Sequence, residues 1–326
     1  MFELTSEQIE GLVDYKASYL PGQISASPAF RPAVGQHVSS LTRLAEPEVC
    51  ARRKEFMRSA LAADEFRERV LIEDGAQVVV GGIRFRNLDP GFPFVELNAN
   101  FDLLQPNLVG QIASVARHHF GGFAPKGILA VGPPKVALSI GVALSIGVER
   151  WSHAVCGPSA NTCNALLPDG LTCSFPATAE FYDAYRDAYA QWQATSPGLG
   201  GFVQAEPRQD LEASAAQGLL ASFADAAGWC GVVAARQEAL YGTQALYIYE
   251  IFLVERWRGK GAAKAIDAAL VSRLASRYVL VWENIHSENW PSLRVAFAQG
   301  RSVLETEYFL PYGEDGGEDG RLQVGS

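Results

Sequence analysis

The stretch Arg-Trp-Arg-Gly-Lys-Gly, from Arg256 to Gly261, constrains this chain more than any other. It follows an apolar aromatic run, Ala245 to Val254, with only Glu255 between, and it precedes an alanine-rich segment, Ala262 to Leu274. The first run predicts a strand and the second an amphipathic helix. A strand that enters a helix through a glycine-rich turn leaves the first N–H groups of the helix without partners, at the positive end of its dipole. Glycine lets a ligand approach the backbone closely. Binding of a phosphate or pyrophosphate is the chemistry favoured there.

Two common phosphate loops are excluded. A nucleoside-triphosphate loop needs four residues between its first Gly and a Gly-Lys-Ser/Thr ending. Here a single residue separates Gly259 from Gly261, and Ala262 follows. A dinucleotide fingerprint needs a Gly or Ala three residues after its second Gly, and Lys264 stands there. What remains is R-x-x-G-x-G/A, carried by Arg256, Gly259 and Gly261. Downstream, Tyr278 to Glu283 reads as a buried strand, Asn289 to Arg301 follows it, and Ser302 to Tyr312 supplies a closing β segment. These motifs, in this order, resemble the GNAT superfamily of acyl-CoA-dependent N-acyltransferases. The loop matches the family's pyrophosphate loop. Asn289, Ser292, Arg294, Val295 and Gly300 match the N-x-x-S-x-R-V and Gly positions of its ribosomal-protein-type members. Two positions depart from the pattern: Arg301 replaces the Phe after the Gly, and Ala296 replaces a Tyr that faces the sulfur in many members.

The resemblance implies direct transfer of an acyl group, acetyl being the expected one, from acyl-CoA to a primary amine in a ternary complex. Acetyl-CoA is then the co-substrate and no metal is required. The implied cofactor contacts are the backbone of Phe252, Leu253 and Val254, the loop Arg256, Trp257, Arg258, Gly259, Lys260, Gly261 and Ala262, and Asn289. Asn289 suits a helix cap equally well. An amine of pKa about 10.4 must lose a proton before attack, at about 4.6 kcal/mol at pH 7, so a base is expected. Glu250, in the middle of the long strand, and Glu283, at the end of the next, are both candidates, with His286 a weaker one. For an acid, Tyr308 and Tyr312 are nearest in sequence, and core packing suits both. A non-catalytic acyl-CoA-binding protein, or a transferase for a larger acyl or aminoacyl group, fits the same motifs.

The chain has 326 residues, enough for two domains. A net charge of −9 argues against a nucleic-acid partner. The acceptor is expected to be a small-molecule or peptide amine. Cysteines at 50, 156, 163, 173 and 230 lack C-x-x-C spacing, which points to reduced thiols in a cytoplasmic protein and to no zinc site. The apolar tandem VALSIGVALSIGV, 136–148, is too short to span a bilayer, so no membrane partner is expected.

The N-terminal part repeats the order of elements. Arg67 to Phe85 reads as two strands around an Asp74-Gly75 turn. A strand at 92–103, a helix near 106–120 and a short strand at 127–132 follow, with Glu96 at the offset of Glu250. The loop after the long strand has Pro106 and Asn107 in place of a glycine cradle, and Pro lacks an N–H. The expected fold is therefore an α/β (α+β) mixed sheet in two GNAT-like domains, the N-terminal one degenerate. An unrelated α+β domain is the alternative for that half. The expected limits are 1–195 for the N-terminal domain, 200–312 for the acyltransferase domain and 313–326 for a disordered acidic tail. Residues 195–201 would be the linker, 202–207 a first strand and 208–223 a helix.

Overall fold

The computed structural model describes residues 3–134, 148–162, 166–195 and 203–312. The VALSIG tandem up to Gly147, most of the linker and the acidic tail lie outside the described residues. The strands, in chain order, are β1 (Arg69–Asp74), β2 (Gln77–Phe85), β3 (Pro93–Ala99), β4 (Gly127–Gly132), β5 (Glu149–Pro158), β6 (Thr172–Ser174), β7 (Leu220–Asp225), β8 (Gly228–Gln237), β9 (Ala245–Leu253), β10 (Leu280–His286) and β11 (Ser302–Pro311). They are divided between two compact units: Met1–Trp151 with Glu305–Ser326, and Ser152–Leu304.

Unit 1 opens with helices α1 (Ser6–Tyr19), α2 (Gly22–Ser25), α3 (Phe30–Leu44) and α4 (Pro47–Phe56). Thr5 starts α1 with a reciprocal cap: its hydroxyl accepts from the Gln8 N–H at 3.2 Å, and the Gln8 side chain accepts from the Thr5 N–H at 2.9 Å. β1 and β2 form a hairpin, β2 pairs antiparallel with β3, and helix α5 (Pro106–Phe120) carries the chain to β4, parallel to β3. The next strand in this sheet is β11, which pairs antiparallel with β4 from Thr306 to Pro311. Val79, Ile83, Val95, Leu97, Ile112, Phe120, Ile128 and Leu310 fill the core beneath α5.

Unit 2 holds β5-β10-β9-β8-β7-β6 in that order. β10 runs antiparallel to β5 and parallel to β9, and the remaining neighbours are antiparallel. Successive residues of β8 serve opposite faces, as the strand period requires. Val233 and Ala235 meet Ile266, Leu270 and Val271 of helix α8 (Ala262–Leu274). Val232 and Ala234 meet Tyr185 and Tyr189 of helix α6 (Tyr182–Thr195) and Leu211 of helix α7 (Arg208–Ala216). Helix α9 (Trp290–Ala298) packs Leu293 and Ala296 with Val155 and Ile285. Burying Phe252 between Tyr185 and Tyr189 stabilises this layer by roughly 1.5–3 kcal/mol.

Four expectations are corrected. The boundary is not at 195–200, because β6 pairs with β7 and α6 packs on β8 and β9, so the unit with the glycine loop starts near Ser152. It ends at Leu304 and not at 312, since the rest of β11 completes unit 1. Val203–Pro207 forms no strand, and the helix expected over 208–223 stops at Ala216. Gly218, at φ +70°, ends it, and β7 begins at Leu220.

Candidate functional site

β9 and β10 run parallel for three rungs, Ala245–Leu280, Leu246–Val281 and Tyr247–Trp282. Beyond them the two strands share no further rung, although β9 continues to Leu253 and β10 to His286. A bulge in β9 accompanies the parting: Ala234 faces Glu250 and Ala235 faces Ile248, so Tyr249 is the extra residue. Tyr249 and Glu250 consequently both point toward α6 and α7. The Tyr249 hydroxyl lies 2.7 Å from Ser214 Oγ and donates to the Asp210 carbonyl at 3.1 Å.

β9 ends on the glycine loop. A short turn, Glu255–Trp257, is followed by Gly259 at φ +72° and Gly261 at φ +75°. A Cβ on either would meet open space, so backbone conformation, not crowding, demands glycine at both. Gly261 is the N-cap of α8, and no side chain caps that helix. Its first-turn N–H groups are therefore without an intrahelical partner.

The two arginines of the loop are committed elsewhere. Arg256 grips Asp225 with Nε at 2.7 Å and Nη2 at 3.0 Å, and Trp257 Nε1 donates to the same carboxylate at 2.7 Å. Arg256, then Trp257, holds the Asp225 carboxyl far below the usual range. Arg258 Nε donates to the Leu253 carbonyl at 2.7 Å, and its guanidinium lies 5.0 Å from the ring centres of Trp192 and Phe252. Both arginines thus tie the loop to the sheet. The remaining cations are Lys260, in the loop and exposed, and Lys264, on the first turn of α8.

Glu250 and Glu283 are both buried, at 8 % and 4 % exposure, and their surroundings differ. Glu283 is ion-paired with Arg301, whose Nη2 also donates to Asp267 of α8 at 2.9 and 3.1 Å. Two carboxylates share one guanidinium, so burial raises both carboxyl pKa values against the pull of Arg301. This cluster explains why Arg301 stands where the resemblance would place a Phe. Glu250 has no cationic partner among the described residues. Its Oε2 accepts from the Tyr185 hydroxyl at 2.6 Å. Burial pushes its pKa up to about 8, against the opposing hydrogen bond from Tyr185.

Asn289 caps α9, its Oδ1 accepting from the Ser292 N–H at 3.4 Å. Ala296 is fully buried against Leu293 and Ile285. Tyr308 belongs to unit 1: it is buried in that core and donates to the Pro133 carbonyl at 2.9 Å. Tyr312 donates to the Ala113 carbonyl at 3.2 Å, also in unit 1. Neither tyrosine lies in the unit that carries Glu250. Tyr185 is the residue that the sequence reading missed. It falls within the limits 1–195 expected for the other half of the chain, and no local pattern links it to a strand 65 positions on.

Unit 1 carries the corresponding crossover. β3 and β4 share three rungs, Val95–Ile128, Glu96–Leu129 and Leu97–Ala130, and then no more. Glu96 lies within those rungs, whereas Glu250 lies three residues past the last one, so the two are not counterparts. Asn100 holds that place in unit 1. Its Oδ1 accepts from the Val78 N–H at 2.9 Å and its Nδ2 donates to the Ala76 carbonyl at 2.6 Å. Glu96 pairs with Arg84 at 2.7 Å. The parted ends border a small open pocket lined in part by Tyr15, Phe101, Asp102 and Tyr308.

No group of three possible metal ligands occurs among the described residues, and none of the described helices is long and apolar enough to cross a membrane. Cys50, Cys156, Cys173 and Cys230 are free thiols.

No protein-family model and no curated protein matches the chain. Solved structures do. A GCN5-related N-acetyltransferase from Sphaerobacter thermophilus matches at 12 % identity and TM-score 0.46, over 84 % of this chain and 93 % of that one. A GNAT-family acetyltransferase from Colwellia psychrerythraea matches at 12 % and 0.44, over 82 % and 96 %. A tandem GNAT protein from the clavulanic acid biosynthesis pathway matches at 13 % and 0.40, over 74 % and 82 %. The strand order of unit 2, its three-rung parallel pair and the helix between those strands give it a mixed α/β fold.

Proposed function

We propose that unit 2 transfers an acyl group, acetyl in the first instance, from acyl-CoA to a primary amine by direct attack, and that unit 1 is a degenerate copy without a cofactor site. One observation carries this reading. The parting of β9 from β10, the uncapped start of α8 at Gly261 and the buried carboxylate of Glu250 all lie on a single crossover. The loop fits a pyrophosphate: the two positive-φ glycines leave open space, and the loop arginines are bound elsewhere and do not fill it. Gly259, Lys260, Gly261 and Ala262 would hold the diphosphate through their N–H groups, with Lys260 and Lys264 adding charge. The parted edge of β9, Phe252 to Val254, would receive the pantetheine arm.

Glu250 is the base in this reading. With a pKa of about 8 it is largely protonated at pH 7, and the carboxylate fraction grows as pH rises through 8. Activity is therefore expected to increase over that range. Glu283 is the poorer base, because Arg301 holds it. The thiolate of the departing CoA, with a thiol pKa of about 8.5, needs little help from an acid, which agrees with Ala296 on α9. That same alanine favours the second reading, an acyl-CoA-binding protein without turnover. The acceptor would be a small-molecule or peptide amine, in the cytoplasm, with no nucleic acid or membrane involved.

Acetyl-CoA at a hundredfold excess over its dissociation constant should stabilise the chain by about 2.7 kcal/mol. Thermal unfolding with acetyl-CoA, followed by CoA release over a panel of amines, checks both halves of the proposal. Absence of any shift would remove the cofactor assignment. A shift without turnover would favour the binding protein.

A further inference from the structure

The hydroxyl of Tyr185 is fully committed. It donates to Glu250 Oε2 at 2.6 Å and accepts from the backbone N–H of Glu206 at 2.8 Å. A phenol has one proton to give. With the Glu206 amide on its oxygen, that proton is aimed at Oε2. The aromatic ring is locked as well, edge-on to Tyr189, Phe252 and Trp229, and the side chain has no exposed surface. Tyr185 comes from α6, Glu206 from the segment before α7 and Glu250 from the bulge of β9, so three separate elements meet at one carboxylate oxygen.

We propose that Tyr185 is a positioning residue that reserves Oε2 of Glu250 and directs the proton taken from the amine to Oε1. The proposal rests on Glu250 being the base. In the step itself an N–H bond of the ammonium breaks and its proton goes to Oε1, which frees the nitrogen lone pair to form the new bond to the acyl carbon; the carbon–sulfur bond then breaks, and the departing thiolate takes the second proton from nitrogen. Oε2 keeps its hydrogen bond throughout and carries no proton. Other groups also bear on this carboxylate. Burial and then Glu206 disfavour its charge, while the Ile251 N–H and Arg258 of the loop favour it; Tyr189 of α6 and Tyr249 of the same strand are themselves held protonated by burial. Tyr185 contributes the side-chain hydrogen bond, which fixes Oε2, and that bond favours the ionised form.

The test is the titration of Glu250, read by carbon-13 NMR of the carboxyl-labelled chain, together with the pH profile of acetyl transfer from acetyl-CoA to the best amine of the panel. Tyr185→Phe should move the Glu250 midpoint and the acidic limb of kcat upward together and lower kcat about tenfold or more, with KM for acetyl-CoA unchanged. Replacing Tyr185 with 3-fluorotyrosine keeps the shape and strengthens the donor, so it should move both midpoints downward even if the Phe variant folds poorly. Tyr189→Phe, which removes a hydroxyl one helical turn away, should leave the midpoint within a few tenths of a unit. Midpoints that do not move in either Tyr185 variant, with Glu250→Gln still inactive, would overturn this inference and leave Glu250 as base. Full activity in Glu250→Gln would instead remove the base assignment on which it rests.

Discussion

The two crossovers from long strand to helix, β3 to α5 in unit 1 and β9 to α8 in unit 2, share a topology and differ in chemistry. Each begins with three parallel rungs and then parts. In unit 2 the connection Val254–Gly261 has two residues at positive φ and ends on an uncapped helix. In unit 1 the connection Asn100–Gln105 has none, and α5 starts on Pro106, which lacks an N–H. Three residues past the last rung, unit 2 has a buried acid held by a tyrosine, and unit 1 has an asparagine spent on backbone bonds to Ala76 and Val78. The parting of strands is thus a property of the fold, whereas the proposed binding and catalysis depend on the residues placed at the parting.

The sharpest way to break this comparison is Glu250→Gln. Loss of a general base should cut kcat by about 10²–10⁴-fold while acetyl-CoA affinity stays within about twofold by calorimetry. The variant should also be more stable at alkaline pH. Folded Glu250 holds its proton up to about pH 8, and the unfolded carboxyl loses it above about pH 4.3. Between those limits the unfolded chain binds fewer protons, so wild-type stability falls as pH rises, and the variant's should be flatter in urea unfolding at pH 5 and 8.

Gly261→Asp should weaken acetyl-CoA by about a hundredfold or more, combining left-handed strain of about 1–2 kcal/mol with a negative charge set beside the diphosphate. Gln105→Asp, the same residue placed at the N-cap of α5, should leave affinity untouched and hold or raise stability, since Asp caps well. Equal losses from both variants would mean that both crossovers bind.

Arg301→Phe restores the residue that the resemblance expects. It should nonetheless destabilise the chain by roughly 3–5 kcal/mol, because Asp267 and Glu283 would remain buried without their cation. An unchanged urea midpoint would show that the cluster does not hold α8 to β10.

The smallest effect belongs to Arg256→Ala. A solvent-screened ion pair with Asp225 contributes little, so affinity should drop about fivefold at most. A loss nearer a hundredfold would mean that Arg256 contacts the diphosphate itself.

Much of this was legible in sequence. The helix Ala262–Leu274 and the strands flanking it were marked by period and by the glycines, because local pattern and final structure agree there. The sequence reading ran α7 on through Gly218 to Phe223, because Leu219 to Phe223 suits helix or strand and only its pairing with β8 makes it β7. The limits of the units were hidden, since β5 and β11 each complete a sheet far from their sequence neighbours. Arg301 was visible as a departure, and its reason lay in Asp267 and Glu283, 34 and 18 positions away. The bond from Tyr185 to Glu250 left no trace at any local spacing.

The central claim, one acyl-CoA site per chain on the Gly259–Gly261 loop, is tested most directly by isothermal titration of the full chain with acetyl-CoA. The account predicts one molecule bound per chain and none bound by Gly261→Asp at the same concentrations. Two molecules per chain, or one that Gly261→Asp retains, would contradict it.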